Sequence, residues 1–176
     1  MKKIINPITN KANATYFFEE DKSKSVLVMG VGNYLMGDEG VGVQLIQAME
    51  KMELPSYIDL VDGGTGGFLL LNMFETYPKI ILIDATMDGK AAGTIYLIKP
   101  RFAADYPSAL SVHDVGLKDM IESVYLMEKI PEIYLFTISI KEMKPMTIEL
   151  SDKVKDSIQE CVSKILVLST QLYNSF

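Results

Sequence analysis

The alternation of apolar and polar residues along this chain is that of short strands interleaved with single helices. Apolar runs of strand length occupy Val26 to Val31, Tyr57 to Val61, Lys79 to Asp84, Thr94 to Ile98 and Ile133 to Ile140. Between them the spacing becomes helical. Val41, Leu45, Ile46, Met49 and Met52 fall on one face, and Leu69, Leu70, Met73 and Phe74 on another. A further helix is expected from about Asp114. A last one runs from Ser151 or Asp152 to about Leu168, with Val154, Ile158, Val162, Ile165 and Leu166 toward the sheet.

Strands alternating with helices assemble as a mostly parallel sheet with right-handed crossovers and helices on both faces. The expected fold is therefore a three-layer α/β/α sandwich around a twisted five-stranded sheet. One junction departs from the pattern. Residues 85–93 are too few for a crossover helix, so the strand at Thr94 is expected to return antiparallel to its predecessor, as an edge strand. The 14 residues from Lys99 to Val112 reach up to roughly 46 Å when extended. That is enough to carry the chain to the opposite edge and to start the next helix near the carboxyl ends of the parallel strands.

The first 24 residues are polar and interrupted, and read as an N-terminal extension; residues 25–176 read as one domain. The start, MKKIINPIT, breaks at Asn6 and Pro7 and has no cleavage pattern after it, and no apolar run reaches the length of a membrane span. With 17 basic against 23 acidic residues, the net charge of -6 disfavours nucleic acid and anionic membranes as partners. The single cysteine, Cys161, cannot form an internal disulfide and suits a small buried helix residue in a reducing cytoplasm.

In an open parallel sheet, ligands bind beyond the carboxyl ends of the strands. The stretch VLVMGVGNYLMGDEGVG from Val26 imitates a dinucleotide loop, but Leu35 replaces the third glycine and Asp38 and Glu39 hold the positive helix start that a phosphate would need. Gly30 and Gly32 read instead as a tight strand-to-helix turn. By topology Asp38 and Glu39 after the first strand, Asp62 in DGGTGG after the second, and Asp84 at the end of the third share one rim. The only histidine, His113 in SVHDVGL, joins them if the long loop returns there. Mixed carboxylate and imidazole donors at one edge make a divalent metal site with positions left for substrate. Each residue also has a plainer reading. Asp38 fits an N-cap or first-turn acid, Glu39 a first-turn acid, and Gly63 and Gly64 a simple strand-to-helix turn. Asp84 resists such a reading, because a carboxylate ending the run IILID is costly to desolvate. No zinc helix motif, nucleophile elbow, Walker loop or cysteine-histidine array is present.

Taken in order, GVGNYLMGDEGVG, DGGTGG followed by IDAT, and SVHDVGL resemble the hydrogenase maturation proteases. These are endopeptidases that trim the C-terminus of the nickel-iron hydrogenase large subunit. The resemblance runs from about Val26 to the final helix and implies the same layered fold. It also implies that nickel arrives with the precursor large subunit as the signal for cleavage, and that Glu39, Asp84 and His113 contact it, with Glu39 and Asp84 catalytic. Asp38, Asp62, Gly63 and Gly64 would be supporting residues, and another divalent metal at the site would be adventitious. Two features depart from the family: the extension, and TISIKEMKP after the last strand, which brings Lys141, Glu142 and Lys144 near the rim. That departure leaves a second reading, a non-catalytic chaperone or adaptor that holds the metal-loaded subunit.

Overall fold

The computed structural model describes residues 22–100, 117–126 and 129–176. A five-stranded sheet is built from β1 (Val26–Val31), β2 (Ile58–Gly64), β3 (Lys79–Thr86), β4 (Ile95–Ile98) and β5 (Glu132–Ser139). The helices are α1 (Val41–Met49), α2 (Leu71–Thr76), α3 (Leu117–Val124) and α4 (Asp152–Tyr173). The strand order is β2-β1-β3-β5-β4, with β4 alone antiparallel.

Strand alternation divides the core. Val26 and Val28 of β1 and Ile81 and Ile83 of β3 face α1 and α4. Leu27, Met29, Ile80 and Leu82 face α2 and α3, where Phe74, Ile121 and Val124 meet them. The layered sandwich expected from the sequence is thus the observed fold. Its longest helix, α4, lays Val154, Cys161, Val162, Ile165 and Leu172 against the sheet, each buried apolar side chain contributing about 1.5–3 kcal/mol. At the far end of α4 the buried Lys79 donates to the Leu172 carbonyl at 2.7 Å and to Ser175 Oγ at 2.6 Å, closing the helix from the start of β3. Among the described residues no helix is long and apolar enough to cross a membrane.

Several expectations are corrected. β4 is an antiparallel edge strand as expected, but its neighbour is β5 and not β3. β5 thus stands between β3 and β4, and the expected path of the loop after β4, over Lys99 to Val112, lies largely outside the described residues. The reason is burial: β5 offers eight mostly buried residues to β3, whereas β4 has four and all are partly or fully exposed. Leu69 leaves its expected face because Gly67–Leu70 form a 3-10 turn, whose tighter winding rotates it to 86% exposure before α2 begins. Met52 lies beyond the end of α1 and is exposed. α4 continues past Leu168 to Tyr173, and β3 continues past Asp84 to Thr86.

Candidate functional site

The rim at the carboxyl end of β1 is set by close approach of backbones. A Cβ on Gly30 would lie 2.1 Å from the Gly42 carbonyl oxygen, and one on Gly42 would lie 2.4 Å from the Val31 oxygen and 2.6 Å from that of Ile83. Gly30 is thus a strand residue whose missing side chain admits α1, and not part of the turn the sequence suggested. Gly32 does make the turn, at φ 129°, where a Cβ would meet the Glu39 carbonyl oxygen at 2.2 Å. Between these contacts, the 3-10 turn Gly37–Gly40 is pressed against β3.

That turn carries Glu39, only 1% exposed, whose Oε2 accepts the Asn33 amide. Asp84 is fully buried on β3, and its Oδ1 accepts the Ala85 amide at 2.8 Å. Carboxylates so deeply enclosed are costly unless hydrogen-bonded or joined to a cation. The main-chain donors fix their orientation, and their oxygen donors suit a divalent metal. His113 lies outside the described residues, four positions before α3 begins. Among the described residues no group of three histidine, cysteine, aspartate or glutamate side chains gathers as a metal site.

Asp38 has a different task from capping. The helix that follows, α1, has Gly40 at its N-cap and no side-chain cap. Asp38 Oδ1 accepts the Ser151 amide at 2.6 Å and Oδ2 accepts the Ser151 hydroxyl at 2.7 Å. The start of α4 is thereby fastened to the turn that presents Glu39, and Ser151 spends its hydroxyl on Asp38 instead of its own helix. Asp62 is exposed and lies inside β2, one strand away from Glu39's turn, with Oδ1 accepting the Gly64 amide at 3.0 Å. Gly63 is the extra residue where β2 slips against β1, and the Gly64 carbonyl accepts the Gly32 amide at 2.9 Å. The structure therefore brings the turn of Glu39 against the strand of Asp84 and leaves Asp62 to shape the neighbouring loop.

A buried polar strip was not anticipated. Asp84 and Thr86 pair in register with Thr137 and Ser139 of β5, and all four are at most 2% exposed. They alternate with Ile83, Ala85, Phe136 and Ile138, so they share the α2/α3 face where Leu82 and Leu135 are apolar one step earlier. The signal was legible as polar residues two apart in LFTIS, the same spacing as Asp84 and Thr86 in IDAT.

Beside the turn lies a cleft of about 130 Å³ lined by Asp38, Glu142, Lys144, Thr147, Glu149 and Ser151. The hydrogen bond from Lys144 to Glu142, and then the charges of Glu142 and Asp38, raise the Lys144 pKa above its ordinary value. The TISIKEMKP segment thus reaches the rim, as its position after β5 suggested.

Comparison with known proteins agrees with this fold. A family model described as hydrogenase maturation protease matches residues 43–168, a span that includes Asp84 and His113 and begins after Glu39. The hydrogenase 2 maturation protease of Escherichia coli is 31% identical over 144 residues, covering 80% of this chain and 88% of that protein. A hydrogenase expression/formation protein of Rhodobacter capsulatus is 36% identical over 113 residues, or 62% of this chain and 54% of its own. Among solved structures, the hydrogenase maturating endopeptidase HybD from Escherichia coli superposes with a TM-score of 0.75 at 28% identity, over 84% of this chain and 93% of that one. The [NiFe] hydrogenase maturation protease HybD from Thermococcus kodakarensis gives a TM-score of 0.68 at 26% identity, over 82% and 99%. Since both the family model and the Escherichia coli relative span most of the chain, it belongs to the hydrogenase maturation protease family and is a peptidase.

Proposed function

We propose that this peptidase removes the C-terminal extension of a nickel-loaded hydrogenase large-subunit precursor in the cytoplasm, and that it reads the nickel carried by that substrate. The observation that carries the reading is the pair of enclosed carboxylates, Glu39 at 1% and Asp84 at 0% exposure, at the carboxyl end of the central strands. Glu39, Asp84 and, by its motif, His113 contact the metal. Nickel brought by the substrate supplies Lewis acidity toward a peptide carbonyl or a water. The chain's own residues supply position. Glu39 is held by the Asn33 amide on a turn wedged between α1 and β3, and Asp84 by the Ala85 amide within a central strand. A scissile peptide tethered through the metal would therefore meet carboxylates already oriented, which is where much of the advantage of a bound reaction lies. The protein holds no nickel of its own in this reading, and another divalent metal at the site would be adventitious.

The test is intact-mass analysis of the precursor after incubation with the purified protein, with nickel-loaded and nickel-free precursor compared. Loss of a C-terminal fragment from the loaded form alone is expected. Equal cleavage of both forms would remove the metal-reading step, and cleavage of neither would remove the substrate assignment.

A further inference from the structure

The rim beside Glu39 is not wholly polar. After β5 the chain does not turn directly into α4; residues 140–150 fold over the loop that follows β1. Met36 and Thr147 form a parallel bridge, the Gly37 amide donates to the Thr147 carbonyl at 2.8 Å, and the Thr147 amide donates to the Leu35 carbonyl at 3.2 Å. The Lys144 amide adds a bond to the Met36 carbonyl at 3.3 Å, and Asp38 holds Ser151 at the base. The loop is fastened to the turn that presents Glu39.

Within this fixed loop Met146 has φ 61°, the one positive value at a non-glycine position among the described residues. Its side chain is 89% exposed. Glycine would hold that backbone without steric cost, so a methionine there trades stability for a side chain that touches almost nothing in the free protein. Leu35, whose carbonyl binds the amide next to Met146, is 56% exposed, and Ile148 is 48% exposed. Lys141, Glu142, Lys144 and Glu149 flank them with both signs of charge. An apolar centre within a charged rim is the anatomy of a protein-binding hot spot, and a thioether adapts to varied partners.

We propose that Leu35, Met146 and Ile148 are specificity-determining contacts that receive an apolar segment of the hydrogenase large-subunit precursor next to its scissile bond. This rests on the processing reading above. The occupant is the precursor and not a second copy of this chain, because the patch is continuous with the turn of Glu39. Whatever covers one also stands over the other, and a second copy seated there would obstruct the site.

The experiment compares wild type with Leu35→Lys, Met146→Lys and Met146→Gly in steady-state processing of the nickel-loaded precursor, in precursor binding by titration, and in thermal melting. Losing one buried apolar contact of this size raises KM and Kd about 10- to 100-fold, with kcat unchanged. Met146→Gly also raises the melting temperature by about 2–4 °C, which a merely structural loop residue would not do while weakening substrate binding. Unchanged KM and Kd in both lysine variants would overturn the proposal, as would a fall in kcat with KM unchanged. If wild type binds the precursor without cleaving it, the processing reading fails while the Kd ratios still decide the contact. If wild type does not bind the precursor, both fail.

Discussion

Replacing Gly42 by alanine separates two opposing effects whose sizes decide the outcome. In an ordinary helix interior the change would stabilise by about 1 kcal/mol, because alanine has the higher helix propensity. Here the new Cβ would stand 2.4 Å from the Val31 oxygen and 2.6 Å from the Ile83 oxygen, and ordinary contact begins at 3.4 Å. Both obstacles are backbone of central strands, so α1 must withdraw by about 1 Å. Forced overpacking costs about 1–3 kcal/mol where side chains can yield, and backbone yields less. The propensity gain is outweighed, and a net loss of about 1–2 kcal/mol is expected by urea denaturation. Glu39 precedes Gly42 by three residues on the same wedge, and displacement of a positioning group by 1 Å can lower a rate by about 100-fold. Gly89→Ala is the control: no atom lies within 4 Å of its added Cβ, and φ 79° leaves only backbone strain of about 1 kcal/mol. It should lose stability and keep processing activity. A Gly42→Ala protein as stable and as active as wild type would refute the wedge.

Three further outcomes follow from other contacts. Asp38→Ala removes two hydrogen bonds to Ser151 that share a charged acceptor, and should cost about 2–4 kcal/mol in urea melts, with Ser151→Ala costing less because the main-chain bond survives. Cys161 is fully buried and its thiol is pushed up to about 12 by burial. A disulfide reagent at pH 8, where roughly one thiol in ten thousand would be ionised, should therefore label it only after denaturation. Burial is the largest influence on Glu132 and works against its ionisation, but the hydrogen bonds from Lys99 and Tyr134 and the charges of Lys99 and Lys79 together outweigh it and hold the carboxyl below its ordinary value. Its contribution is present above the unfolded glutamate pKa and is lost as pH falls through the lower folded value. Glu132→Gln should thus destabilise by less than about 1 kcal/mol at pH 7, with the difference shrinking in pH-dependent denaturation as the pH falls below the ordinary glutamate value.

What the sequence disclosed depended on how local the determinant was. Strand cores such as Val26–Val31 and Lys79–Thr86 carry their burial in their own composition, and the antiparallel direction of β4 follows from a connection too short for a helix. The neighbour of β4 was not legible, because it depends on β5 competing for the free edge of β3 from more than 30 residues away. Asp38 looked like a helix cap for the same reason: its partner, Ser151, stands 113 residues along the chain. Glu39 and Asp84 were marked by chemistry, a carboxylate at a helix start and another in an apolar run, and both are enclosed where topology placed them. The polar period of Thr137 and Ser139 was visible but gains meaning only through its register with Asp84 and Thr86.

In the proposed function Glu39 acts in the chemistry or in reading the metal and does not merely support the turn. Glu39→Gln keeps the size of the side chain and an oxygen for the Asn33 amide, so the fold should survive. The decisive measurement is the rate of C-terminal mass loss from nickel-loaded precursor with this variant, at matched circular dichroism and melting temperature. A fall of at least about 100-fold with the fold intact is expected. Processing at the wild-type rate would contradict it.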